Sequence, residues 1–508
     1  MLIKLGRNSL TPGQIARMCG GKIIREGKTG SPVSSVCVDS RDAREGSLFL
    51  AVRGARTDGH RYLAAAASAG ASAALIDRLP EAGSETMIPE KSGMALIFAD
   101  STVSALGRLA AAYSRGNCPR RVAVTGSVGK TSTKEMCRAV LSEGLSGVYA
   151  SEGNLNTPIG MPLSLLAAPE GAGTGIFEMG LEEPGEISSM SKICGPEAAA
   201  VTVLGSSHLE HIGSRGKLAA EKLSVKDGLS RGGLLLLPAD EPLFAATLES
   251  DPRARGFAVR ESAGDGKRAD YTAINVRNTG NVDGGLGEAG LSFDMMLPDG
   301  SVINGLHLAV PGRHNVGNAL IACAMGSHFG LDGDTIRRGL ASYRPVGMRQ
   351  QITVTGGVTL INDCYNASPE SMKAACLLLC GDGAGGARAG KRTGRKIALL
   401  GDMYELGSDS RAMHRDVGAF FASHGTDVIV TLGSLASDIA DGARSAAAEG
   451  GCDIIEFPDR NDAAAAAAEL AGIIRPGDTV LIKASRAVGA ERAAAALTEL
   501  LSKGEPSC

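Results

Sequence analysis

The chain has 508 residues, 52 Lys+Arg against 55 Asp+Glu, and 69 glycines beside only 10 Phe, 7 Tyr and no Trp. A net charge of −3 supplies no global field to hold nucleic acid, so any phosphate contact must be built by a local loop. At roughly 100–200 residues per domain the length implies about three domains, and 44% hydrophobic residues is enough to give each a core.

No apolar stretch near the start is long enough for a signal peptide, and no 18-residue uncharged apolar run occurs anywhere. These features predict a cytoplasmic protein without membrane insertion. Eleven cysteines, an odd number with no C-x-x-C pair, predict reduced thiols packed as small apolar residues rather than a disulfide framework or a structural zinc site.

Short apolar runs followed by turns and longer Ala/Leu/Arg/Glu-rich stretches predict alternating strands and helices. In chain order the expected strands are 121–125, 175–179, 199–204, 233–237, 396–400, 427–432, 453–457 and 479–483. Their near-continuous apolar character suits parallel strands covered on both faces. Residues 270–310 alternate polar and apolar, as a small antiparallel region does. Residues 381–394 are glycine-rich and basic and read as a surface loop. The alanine runs at 444–448 and 463–468 read as helices of the solvent-facing layer. The expected fold is α/β in three domains: 1–100, a central parallel-sheet domain over 101–344, and a Rossmann-like domain over 345–508.

The strand ending at Thr125 runs into Gly126-Ser127-Val128-Gly129-Lys130-Thr131-Ser132. Glycines let backbone N–H groups curl around a phosphate, and the N-terminus of the following helix favours an anion. Lys130 reaches the terminal phosphates, and the Thr131 hydroxyl can ligate Mg²⁺. The general P-loop pattern has a further glycine where this chain has Val124, so the loop is a variant. A tight glycine turn alone explains Gly126 and Gly129 but not the Lys-Thr pair behind them. The site therefore predicts ATP, with GTP as the alternative. Glu178, at the end of the next apolar strand, and His208, in the loop after the strand beyond it, bring oxygen and imidazole ligands to sheet ends. That donor set suits Mg²⁺ or Mn²⁺.

Taken together, T-G-S-V-G-K-T-S-T-K-E-M, E-G-N-L-N-T-P-I-G, F-E-M-G, S-H-L-E, P-G-R-H-N-V-G-N-A-L, N-D-C-Y-N-A-S-P, L-G-D-M-Y-E-L-G and K-A-S-R resemble the Mur ligases, which build the peptide of the peptidoglycan precursor. K-E-M behind the loop, D-x-Y-N-A-x-P and G-D-M-x-E-L-G resemble the D-alanyl-D-alanine-adding branch. The V-D-S-R and D-G-H segments at 38–41 and 58–60 are similar to the domain that grips UDP-muramoyl substrates. No D-N-P-R segment of the diaminopimelate- or lysine-adding relatives is present.

The resemblance implies an ATP-dependent amide ligase that activates a UDP-N-acetylmuramoyl tripeptide as an acyl phosphate and joins it to D-alanyl-D-alanine, acting as a monomer. It implies two Mg²⁺ sites, with Lys130 on the transferring phosphoryl group, Thr131 on the first ion, and Glu178 and His208 on the second. Lys222 would be carried as a carbamate that ligates the metal; many relatives have an acid two residues later, where this chain has Ser224. Asn315 and Asn318 would face the adenine, Arg349 the phosphates and Asp363 the ribose. Ser40, Arg41, Asn156 and Thr157 would contact the UDP-peptide. Tyr365, Asn366 and Ser368 would contact the acceptor, with Ser368 in place of the usual Asn. Lys483, Ser485, Arg486 and Glu491 follow a K-G-S-R pattern with Ala484 for Gly. Two alternatives stay open on the sequence: a relative with another amino acid acceptor, such as a folylpolyglutamate-synthase-like enzyme, and a P-loop switch that hydrolyses ATP to move a partner.

Overall fold

The computed structural model describes residues 2–28, 31–54, 57–79, 88, 92–206, 209–262, 269–279, 289–380, 394–447 and 451–503. The chain divides into two compact units, one from Met1–Thr125, Leu145–Ala199 and Ser224–Leu235, the other from Gly126–Gly144, Ala200–Leu223 and Leu236–Cys508.

The first unit holds a six-stranded sheet in the order Leu2–Lys4, Ser35–Cys37, Ser47–Leu50, Ala73–Ile76, Ala95–Phe98, Lys22–Arg25. Its interior pairs are parallel and its two edge pairs antiparallel. Phe49, Ala74, Ile76 and Leu96 pack with Leu63 and Ala66 of the helix Leu63–Ser68. The same unit carries a parallel trio, Val148–Ala150, Thr174–Glu178 and Arg120–Thr125, with Thr174–Glu178 in the middle. Every residue of Thr174–Glu178 is buried, as expected for a strand covered on both faces.

In the second unit Ala254–Val259 runs parallel to Tyr271–Thr279, which begins an antiparallel meander through Gly290–Met296 and Val302–Leu308. This is the antiparallel region expected over 270–310. A second six-stranded sheet follows the order Gln351–Thr355, Val358–Asn362, Thr479–Lys483, Lys396–Gly401, Val428–Leu432, Asp453–Phe457, parallel except at its first edge. Its alternate residues feed two cores. Ile397, Leu399, Val430 and Ile482 pack with Ala466 and Leu470 of the helix Ala463–Ile473. Ala398, Leu400, Ile429 and Leu481 pack with Met372, Val417 and Ile439 on helices of the other face.

Two expectations need adjustment. The strand expected over 199–204 is Ala198–Val201, because Thr202 and Val203 leave the sheet to hold the glycine loop described below. The second alanine run is not wholly solvent-facing, since Ala463, Ala466 and Ala467 are buried: a helix covering a parallel sheet must present one small-residue face to it. The loop expected at 381–394 falls, but for its last residue, outside the described residues. Of the ten described cysteines none is in a disulfide and eight are buried; burial pushes the Cys137 and Cys194 thiols up to about 12.

Candidate active site

The strand Arg120–Thr125 continues into the glycine loop, and the helix Lys130–Gly144 starts at its end. Gly126 and Gly129 sit at φ +139° and +86°, backbone regions that L side chains avoid. At Gly129 the fit is also tight, because a Cβ there would stand 2.5 Å from Asn318 Oδ1. The loop is tied down by the segment that leaves the strand Ala198–Val201. Ser127 N donates to Val203 O at 2.8 Å, and Thr202 Oγ1 donates to Val128 O at 2.5 Å. From the helix His314–His328, Asn318 Oδ1 accepts from Thr133 Oγ1 at 3.1 Å.

Lys130 Nζ donates to Gly126 O (2.9 Å) and Ser127 O (3.3 Å), folding its charge over the loop. Thr131 is buried in the first helical turn. Burial pushes the Tyr343 phenol up to about 12, against a side-chain hydrogen bond with Ser132 that lowers it. This strand–loop–helix, with two glycines at positive φ and a lysine at the helix start, is a phosphate-binding geometry.

Glu178 ends its strand abreast of Val124, two residues before the loop begins. It is 3% exposed, and its Oε1 accepts from Asn156 Nδ2 at 2.8 Å. Asn156 is fixed in turn by Gly180 N, which donates to its carbonyl at 2.6 Å. Thr157 Oγ1 accepts from Gly160 N at 3.1 Å, tying the turn that leads into the helix Gly160–Ala167. Lys222, on the helix Arg215–Leu223, is fully buried. His208 lies outside the described residues. Among the described residues no three His, Cys, Asp or Glu side chains gather as a metal site. The hydroxyl of Thr131 and, in the other unit, the carboxylate of Glu178 are each hard oxygen donors of the kind Mg²⁺ takes.

The residues matched to the nucleoside side meet at Gln350, which sequence reasoning missed. Gln350 Oε1 accepts from Asn315 Nδ2 at 2.7 Å, and its Nε2 donates to His314 Nε2 at 2.6 Å. Its backbone N donates to Asp363 Oδ1 at 3.2 Å, and it holds φ +50°. Asn315 also donates to Pro311 O. Asn318 lies apart from this group, against the glycine loop. Arg349 stacks 3.9 Å from the Tyr365 ring centre, with Arg486 at 5.8 Å from the same centre.

Asp363 Oδ2 pairs with the buried Lys483 Nζ at 2.6 Å, and Lys483 donates also to Asn366 O at 3.0 Å. Ser368 Oγ accepts from Ser371 N at 3.4 Å, capping the helix Pro369–Cys380. Ser485 Oγ accepts from Tyr404 N, and Arg486 and Glu491 are 3.9 Å apart. Ser40 and Arg41 occupy a turn capped by Asp39, where Arg41 is an exposed cation held by both Asp39 oxygens. That guanidinium holds the Asp39 carboxyl well below the usual range.

Thr133, Thr202 and Gln350 carried no sequence signal, because each acts through a contact distant in the chain. The closest hint was the position of Gln350 directly behind Arg349.

Residues 32–114 match the Mur ligase family catalytic domain, 124–326 the Mur ligase middle domain, and 348–486 the Mur ligase glutamate ligase domain. A Bacillus subtilis relative named UDP-N-acetylmuramoyl-tripeptide–D-alanyl-D-alanine ligase is 34% identical, covering 95% of this chain and 96% of its own. Among solved structures, a MurF from Acinetobacter baumannii superposes with a TM-score of 0.82 at 27% identity, covering 97% of this chain and all of that one. A MurF ligase from Thermotoga maritima in complex with ADP superposes at 0.76 and 25% identity, covering 92% and 98%. Three Mur ligase segments, together with a relative 34% identical over 95% of the chain, establish that this chain belongs to the Mur ligase family.

Proposed function

We propose that the protein is an ATP-dependent amide ligase that joins D-alanyl-D-alanine to a UDP-N-acetylmuramoyl tripeptide in peptidoglycan precursor synthesis. The observation that carries the reading is the glycine loop held by Thr202 and Asn318, in a chain similar over 95% of its length to a ligase of that name. A carboxylate is a poor electrophile. Transfer of the γ-phosphoryl group to a carboxylate oxygen releases ADP and leaves an acyl phosphate. The acceptor nitrogen then forms the C–N bond as the C–O bond to phosphate breaks, and the amine gives up its protons to solvent.

Lys130 would leave the loop carbonyls to neutralise the transferring phosphoryl group; Thr131 would hold a first Mg²⁺ and Glu178 a second, ions that would supply positive charge between phosphate and carboxylate. We assign His208 to the second ion. Lys222, which is fully buried, is assigned the carbamate role: its neutral amine would add CO₂ and lose a proton, becoming an anionic oxygen ligand for Mg²⁺. Asn315, Gln350 and Asp363 face the nucleoside and Arg349 the phosphates, while Asn318 acts on the nucleotide by shaping the loop. Ser40, Arg41, Asn156 and Thr157 serve the UDP-peptide, and Tyr365, Asn366 and Ser368 the acceptor.

On this reading residues 1–100, 101–344 and 345–508 divide the work among UDP-substrate, ATP and acceptor. ATP and a nucleotide-linked peptide are cytoplasmic substrates, and the activity is assigned to that compartment. No helix among the described residues is long and apolar enough to cross a membrane. The test is phosphate release from Mg-ATP with UDP-muramoyl tripeptide and either D-alanyl-D-alanine or single amino acids. Release should require the tripeptide and the dipeptide together; release without either, or with L-amino acids replacing the dipeptide, overturns the assignment.

A further inference from the structure

The helix Pro369–Cys380 begins beside the segment that leaves the strand Ala198–Val201. There Ser206 Oγ donates to Glu370 Oε1 at 2.7 Å. The second carboxylate oxygen, Oε2, is buried and has no hydrogen-bond partner among the described residues. Gly205 makes the space: a Cβ on it would lie 2.9 Å from Glu370 Oε2 and 3.3 Å from Ser127 Cβ. Ser127, second residue of the glycine loop, is only 8% exposed, and its Oγ is also buried without a hydrogen-bond partner among the described residues. Two unmatched oxygens therefore flank one glycine, next to the phosphate-binding turn.

Buried polar atoms without partners are rare, because each loses its hydration with nothing in return, and a charged one loses most. The missing group must donate to a carboxylate, which excludes the phosphates of the nucleotide. An ammonium carries three donors, enough for Glu370 Oε2, Ser127 Oγ and one oxygen of the activated substrate.

We propose that Glu370 and Ser127 form the seat for the primary amine of the acceptor, with the Glu370 carboxylate holding its cationic end beside the glycine loop. This rests on the ligase reading above. Ser206 positions the carboxylate through its other oxygen, and Gly205 is required for passage.

The test is Glu370→Gln, which keeps the shape and the Ser206 bond but removes the charge. Steady-state kinetics use D-alanyl-D-alanine as acceptor and propionyl-D-alanine, which lacks the amine, as competing inhibitor. Loss of one charge-assisted hydrogen bond predicts a rise of roughly 10- to 100-fold in KM for the dipeptide, with KM for ATP and for the UDP-tripeptide unchanged. Wild type should prefer the dipeptide over propionyl-D-alanine, and the variant should bind the two about equally. Glu370→Asp retains the charge and should retain that preference even if its KM rises, which covers the case in which the glutamine variant folds poorly. An unchanged dipeptide KM, a shift only in Mg²⁺ dependence, or equal preference in wild type overturns the seat. If wild type shows no dipeptide-dependent phosphate release at all, the ligase reading fails instead.

Discussion

Replacing Gly129 with alanine tests whether the glycine loop is shaped as described. The position holds φ +86°, and the new Cβ would lie 2.5 Å from Asn318 Oδ1. Holding an alanine in the left-handed region costs about 1–2 kcal/mol. Moving Asn318 aside breaks its buried bond with Thr133 Oγ1, worth about 1–3 kcal/mol when one partner is stranded. The two together give about 2–5 kcal/mol, or roughly 30- to 4,000-fold in an equilibrium constant. Because the loop must adopt this shape to hold phosphate, the loss should appear mainly in ADP affinity, measured by calorimetric titration, with urea unfolding run in parallel. In an Asn318→Ala background the collision is gone, so the Gly129→Ala penalty should shrink to the backbone cost of about 1–2 kcal/mol. An ADP affinity within about twofold of wild type, or the same penalty in both backgrounds, refutes the reasoning.

Lys222→Ala should lower ligation at least about a hundredfold, the scale of losing one ligand-borne charge at a phosphoryl-transfer site, and short carboxylates such as acetate or propionate should restore part of it. Full activity in the variant would remove Lys222 from the metal chemistry. His414 is buried, with Nε2 accepting from Met403 N at 3.0 Å and Nδ1 donating to Ser410 O at 2.7 Å. Burial holds its imidazole below the ordinary 6.5, outweighing the upward pull of the Ser410 carbonyl, Asp402 and Asp438. The folded state therefore binds fewer protons than the unfolded chain as pH falls through 6.5. The stability His414 contributes is fully present above that pH and is lost below it, at no more than about 1.4 kcal/mol per pH unit. The urea midpoint should drop between pH 7.5 and 5.5, and His414→Asn should flatten that drop; an equal drop in both proteins would contradict the account.

The sequence alone determined what depends on neighbours in the chain. Apolar runs placed the eight expected strands to within a few residues, because a strand covered on both faces needs continuous hydrophobicity, whereas the short strands of the first unit's sheet and the hairpin Gln351–Thr355, Val358–Asn362 were not read from the sequence. The glycine loop was legible because its spacing, its lysine and the helix start all lie between Gly126 and Lys130. The thiols were legible through their number and spacing. Burial of Ala463, Ala466 and Ala467 in the helix Ala463–Ile473 was not, since alanine suits a helix face toward solvent and one toward a sheet equally well.

What only the tertiary structure decided is which side chain meets which. Asn318 lies against the loop rather than in the Gln350 group with Asn315, although the two stand three positions apart on one helix, because its side chain is bonded to Thr133, 185 residues away in sequence. Gln350 gathers His314, Asn315 and Asp363 through a backbone turned to positive φ. Glu370 meets Ser206 across 164 residues. Such pairings depend on how separate sheets and helices pack, and neither periodicity nor motif spacing encodes that over such distances in the chain.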